Sequence, residues 1–224
     1  MSIRVSPRAA LALSVLFAFL SLAFQARAAD EDIGPELLRI EQAWDQANYG
    51  ITDPAAKRSS LEALSAQAEQ LVRAHPDRAE PLVWQGIVLS TYAAARGGFG
   101  ALSLAKRSRD CLLAALKLDG TVLHGSAYTS LGALYYKVPG FPIGFGDHQR
   151  AAEYLQKALA LNPDGIDPNY FYGELLFENG DYSQALRYLE KALDAPPRQD
   201  RPLADSGRRN EVNVLIAKVR AKLS

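Results

Sequence analysis

Cysteine is nearly missing from this chain: Cys111 is the only one among 224 residues, so no internal disulfide can form. Cys111 falls in the helical stretch Arg109 to Leu116 and reads as a small buried core residue, the alternative being an intermolecular bridge or a reactive thiol. Histidine is scarce too. His75, His124 and His148 do not share a helical face with other ligand-type residues at metal spacing, and Asp147 beside His148 reads as a helix cap. No His-Glu-x-x-His, no phosphate-cradling glycine loop and no Gly-x-Ser-x-Gly elbow occurs. The carboxylates Glu36, Glu41, Glu62, Glu69, Glu153, Glu174 and Glu178 read as solvated helix faces. Catalysis and a cofactor are therefore not expected. Charge of one sign is missing as well: 25 basic residues balance 25 acidic ones, which leaves no electrostatic footprint for nucleic acid. Strand signals are absent throughout.

Long apolar runs are confined to the first 28 residues. Arg4 and Arg8 precede an apolar stretch from Ala9 to Phe24, and Ala26-Arg27-Ala28 follows with small residues at the spacing signal peptidase requires. The pattern predicts a secretory signal over 1–28, cleaved near Ala28 or Ala29. The alternative, a membrane anchor, needs about 20 apolar residues, more than this run supplies. Cleavage removes three arginines and no acid, leaving 22 basic against 25 acidic groups, a net of −3. The expected product is an exported, periplasmic protein with no stable membrane insertion.

What the rest of the chain has is repetition. Residues 149–163 read QRAAEYLQKALALNP and residues 183–197 read SQALRYLEKALDAPP. Ala151 and Ala185, Leu155 and Leu189, Ala158 and Ala192, and Pro163 and Pro197 each stand 34 residues apart. Upstream, Tyr128, Leu131, Gly132 and Tyr135 lie at first-helix positions, as do Tyr172-Gly173 and Leu176 in the last copy. Asp167-Pro168 reads as a cap followed by a first-turn proline, Gly180 as a helix terminator, and Asp181 with Gln184 as a reciprocal cap. Gly86, Leu89, Ser108, Leu112 and Ala115 make an earlier copy that closes on Gly120. Trp44, Ala47, Asn48 and Ile51 make a degenerate first copy ending at Pro76.

This period and these positions resemble the tetratricopeptide repeat (TPR) family, whose consensus runs W-x2-LG-x2-Y and then A-x3-F, Ala and Pro. The resemblance implies an all-α, right-handed solenoid of about four helix hairpins (36–76, 79–120, 121–163 and 166–197). A C-terminal capping helix over 204–223 brings the total to about nine helices. Val212, Leu215, Ile216, Val219 and Leu223 form the apolar stripe of that last helix, while Arg208, Arg209, Lys218, Arg220 and Lys222 read as its solvated face. Measured from the glycine to the small residue of the second helix, the last copy spans 12 residues, the one before it 19 and the second copy 22. Seven and ten residues are thus inserted.

Family likeness implies protein or peptide binding by a scaffold, on a concave groove lined by first helices. The groove face here presents Val83 and Ile87, Thr129 and Ala133, and Tyr170 and Glu174. These cannot pair with a carboxylate, so the chaperone-tail clamp of some TPR domains is not expected. A looser similarity, resting on general layout, links the chain to exported TPR-like proteins associated with TRAP transporters and suggests a small apolar ligand as the alternative guest. Both inserts carry Gly-Phe-Gly ahead of a second helix: Arg96-Gly97-Gly98-Phe99-Gly100, and Val138 through His148. Phe99, Phe141, Ile143 and Phe145 must either pack beneath these loops or present to a guest. Phe99, Phe141, Phe145, Tyr136, Tyr170 and Glu174 are accordingly the candidate binding residues; Tyr135 reads as packing between helices.

Overall fold

The structure, a computed structural model, describes residues 32–224, so the expected signal over 1–28 lies outside the described residues. Contacts divide the chain into residues 1–35 and a compact unit of 36–224. In the described part of the first, the Asp32 carboxylate accepts the Gly34 N–H at 2.9 Å.

Helices make up the described chain: α1 (Gly34–Asp45), α2 (Pro54–Ala74), α3 (Ala79–Arg96), α4 (Gly98–Leu118), α5 (Val122–Lys137), α6 (His148–Leu161), α7 (Ile166–Glu178), α8 (Tyr182–Leu193) and α9 (Pro202–Leu223). A π-helical turn, Gln46–Gly50, extends α1. Among the described residues the extended pairing is an isolated bridge between Gly140 and Gly146. The compact unit is an all-α solenoid in which α3 pairs with α4, α5 with α6, and α7 with α8.

One device repeats in each of these hairpins. Gly86, Gly132 and Gly173 sit where a first helix crosses its partner, and each faces a fully buried leucine: Leu112, Leu155 and Leu189. A Cβ on Gly86 would lie 2.5 Å from Leu112 Cγ, and one on Gly173 would lie 2.9 Å from Leu189 Cγ. Small residues answer from the second helix. Ser108, Ala151 and Ala185 are all buried, and Ser108 donates its hydroxyl to the Gly86 carbonyl at 2.6 Å. Backbones touch there because side chains are absent, and leucines fill the flanking space to interior density.

Second-helix starts follow the expected chemistry in two places. Asp147 accepts from the N–H groups of Gln149 and Arg150, and Asp181 accepts from Gln184. Three local expectations fail. Gln184 does not return the bond; its side chain accepts from Arg187. Asp167 does not cap α7, which Gly165 precedes; two arginines take its carboxylate instead. The first insert is no loop: α4 begins at Gly98, so the Gly98-Phe99-Gly100 run is its opening turn and the extra residues lengthen α3 and α4. Only Gly97 and Gly98, with φ of 63° and 62°, make the bend.

The last helix departs most from expectation. Val212, Leu215, Ile216 and Val219 do bury against α8, but Leu223 is exposed. Arg208 and Arg209 are not solvated: Arg208 is buried, and Arg209 donates to the carbonyls of Leu193 and Ala195, the end of α8. Lys218, Arg220 and Lys222 are exposed as expected. Beyond covering α8, the helix reaches back across the unit, where Gly207 lies so close to Tyr49 that any Cβ would overlap the ring.

Candidate functional site

The first helices α3, α5 and α7 stack on one side and leave a shared concave face. The link after α8 and the N-terminal half of α9 pass over it and meet the end of α1. Between them lies a cavity of about 860 Å³. Ile87, Thr129, Ala133 and Tyr170, four of the groove-face residues read from repeat register, line it. Val83 instead is fully buried in the core.

Aromatic side chains frame two ends. Trp44 and Trp84 meet edge to face at 6.0 Å, and the Arg201 guanidinium lies over both rings, at 5.6 and 5.1 Å. Trp44 donates its indole N–H to Thr91, and Trp84 donates to Glu41, both at 2.9 Å. Burial pushes the Glu41 carboxyl up from the usual range, against the pull of Arg201. At the other end Tyr170 and Phe171 pack at 5.1 Å, and Arg208 sits 4.6 Å over each.

An ion-pair network locks the covering segment. Asp167 accepts from Arg198 and from Arg208, each at 2.8 Å. Burial alone would raise this carboxyl, but Arg208, Arg198 and Arg201 hold it at about 2. Arg198 also meets Asp205 at 2.6 Å, Arg208 meets Glu211 at 2.5 Å, and Arg201 Nε meets Asp45 at 3.2 Å. The last pair spans 156 residues of sequence.

The candidate residues read from sequence scatter around this cavity. Tyr170 lines it. Tyr136 and Glu174 stand behind it as a pair: the phenol donates to Glu174 Oε2 at 2.5 Å, and Lys137 meets the same oxygen at 2.8 Å. Glu174 and Glu41 are therefore bonded groups and not solvated faces. Burial, reinforced by Glu174, drives the Tyr136 phenol well above its ordinary value. Phe145 packs edge to face on Tyr135 at 5.4 Å, with Arg109 at 4.6 Å over its ring. Phe141, 94% exposed, points away from any packing, and Ile143 stands at the cavity rim. The Phe99 side chain lies outside the described residues. The second insert is held by its own backbone: Gly146 donates to Pro139 at 2.9 Å and Asp147 to Tyr135 at 2.7 Å.

Sequence reading missed Trp84, Phe171, Arg198, Arg201 and Arg208 as site residues. The arginines carried no periodic signal, because their partners Asp45 and Asp167 belong to other hairpins. Cys111 is half-buried, with its thiol 3.2 Å from the Gln85 amide oxygen, and burial pushes it up to about 11.

Hairpins interlocked through small residues around a concave face define a helical-repeat protein. Residues 143–205 match the tetratricopeptide repeat family, and the fold of the described residues is similar to that of solved TPR proteins. TTC0263, a thermophilic TPR protein in Thermus thermophilus, is 16% identical with a TM-score of 0.56, over 76% of this chain and 82% of that one. MamA from Desulfovibrio magneticus is 17% identical with a TM-score of 0.44, over 81% and 96% of the two chains. YrrB, described as a TPR protein with an unusual peptide-binding site, is 18% identical with a TM-score of 0.41, over 73% and 78%. No curated protein matches the sequence.

Proposed function

We propose that this protein is an exported, non-catalytic TPR scaffold of the bacterial envelope that holds a protein or peptide partner on its concave face. The observation that carries this reading is the cavity itself, to which first helices of three successive hairpins contribute Ile87, Thr129, Ala133, Tyr170 and Phe171. Export rests on the basic, apolar and small-residue pattern of residues 1–28. The test places a photo-crosslinking residue at Thr129, inside the concave face, and in parallel at exposed Gln156 on α6. Cells expressing each version are fractionated. A processed chain in the periplasm, crosslinked to one partner from Thr129 alone, is the expected result; an unprocessed cytoplasmic chain or equal crosslinking from both positions refutes it.

A second reading has its own observation. The covering segment Arg198–Glu211 walls the concave face, where an open groove would suit an extended peptide. A walled cavity of about 860 Å³ falls within the roughly 300–1,000 Å³ of small-molecule sites. The guest is then a small, largely apolar ligand.

A further inference from the structure

The two walls of the cavity differ in chemistry. On the side of α3, α4 and α5 it is lined mainly by short aliphatic groups, among them Ala93, Ala94, Ala101, Leu102, Ala133 and Leu134, with the hydroxyls of Thr91 and Thr129 between them. On the covering side stand Arg198, Arg201 and Arg208. Each guanidinium is only partly used. Arg198 spends Nε and Nη1 on Asp205 and Asp167, Arg201 spends Nε and Nη2 on Asp45, and Arg208 spends Nε and Nη1 on Asp167 and Glu211. One terminal nitrogen of each, Arg198 Nη2, Arg201 Nη1 and Arg208 Nη2, has no hydrogen-bond partner among the described residues. None of the three is sealed in protein; among the described residues the buried side-chain atom without a partner is Asn169 Oδ1. Two of these guanidinium groups share the Asp167 carboxylate.

The ionised groups lining the cavity are Lys137 and the three arginines against Asp167 and Glu211. Asp45, Asp205 and Glu174, which complete the pairs, are not part of the lining. The covering wall therefore presents guanidinium groups, and the opposite wall is mainly apolar with scattered hydroxyls and Lys137, with aromatic rings at two ends.

We propose that this cavity binds a small amphipathic acid, its apolar body against the alanine and leucine wall and its anionic head on the unused guanidinium edges of Arg198, Arg201 and Arg208. The inference rests on the second reading above. Planar guanidinium donors match carboxylate and phosphate oxygens, and a charge-assisted bond is about twice as strong as a neutral one. Short aliphatic walls with a few convergent polar groups are the usual build of such sites.

The chain contains two tryptophans, and both line the cavity, so its intrinsic emission reports on entry. The full chain is titrated with dodecanoate, dodecyl phosphate and dodecanol, each below its micelle-forming concentration. Saturable change in emission with both anions, at least about tenfold tighter than with dodecanol, is expected. The two anionic arms tell a carboxylate guest from a phosphate one. Ala133→Phe, which fills the aliphatic side, should abolish all three responses. Arg208→Gln should erase the preference for the anions over dodecanol. Wild-type selectivity stands even if that variant does not fold. Equal affinity for acid and alcohol overturns the anionic head and leaves the small-ligand reading intact. Absence of any response overturns both. Anion binding that survives Ala133→Phe places the anion elsewhere and overturns the assignment.

Discussion

Replacing Gly132 by alanine sets two effects against each other. Alanine is favoured over glycine inside a helix by about 1 kcal/mol. Against that gain, a Cβ at residue 132 would overlap Leu155 Cγ, and would lie 2.9 Å from Leu155 Cδ2 and 3.2 Å from the Ala151 carbonyl oxygen. Leu155 is fully buried and has no free space to turn into, and a backbone carbonyl cannot rotate aside. Relief requires α5 and α6 to part. Over-packing of this kind costs about 1–3 kcal/mol, and the backbone contact puts this site toward the upper end. The net expectation is a loss of about 1–2 kcal/mol, or a Tm lower by about 2–8 °C for a chain of this size. Thermal unfolding followed by circular dichroism measures it. Leu155→Ala alone should lose about 2–5 kcal/mol. Combined with Gly132→Ala it should lose less than the two together, because the added methyl occupies space the leucine vacated. Gly173→Ala, with its nearest contact at 2.9 Å from Leu189 Cγ, should be milder than Gly132→Ala. A raised Tm for Gly132→Ala, or strict additivity with Leu155→Ala, refutes the argument that backbone contact at this glycine sets the hairpin geometry.

Three further outcomes follow from the same geometry. Asp167 is held at about 2 against an ordinary 3.8, so its contribution is present above its unfolded value and disappears as pH falls through about 2. Acid unfolding between pH 4 and 2 should be shallower for Asp167→Asn than for the wild type, and an unchanged slope refutes the assignment. Phe145→Ala should lower stability by about 1–2 kcal/mol, since Tyr135 and Arg109 pack on its ring, while Phe141→Ser, on a side chain 94% exposed, should stay within about 0.5 kcal/mol. Denaturant melts compare the two, and equal losses contradict the packing described. Cys111, raised from 9.0 to about 11, should carry about one hundredth of the ordinary thiolate fraction at pH 8. Mass spectrometry after iodoacetamide treatment should show slow, incomplete labelling of the native chain and fast labelling in denaturant.

The repeat was legible because its period follows from local packing. Gly132 and Leu155, or Gly173 and Leu189, meet within one hairpin, so spacing along the chain maps directly onto contact in space. Even the insert lengths carried through: the glycine-to-leucine separations of 26, 23 and 16 residues in successive hairpins differ by the three and seven residues that the sequence register required. What those insertions became was not legible. One lengthened two helices and the other made a loop bridged from Gly140 to Gly146, although both carry Gly-Phe-Gly. A short motif of that kind leaves the backbone free, and helix packing on either side decides its path.

Sequence alone thus showed the pairings α3 with α4, α5 with α6 and α7 with α8, their register and four of the residues on the concave face, because helix periodicity and close helix contact are local requirements. Only the tertiary structure decided that α9 crosses to the first hairpin, setting Gly207 on Tyr49 and Arg201 over Trp44 and Trp84. That contact depends on the accumulated turn of the whole stack, which brings Asp45 and Arg201 together across 156 residues. No periodicity records a sum of small rotations, and so the arginine wall of the cavity emerged only in three dimensions.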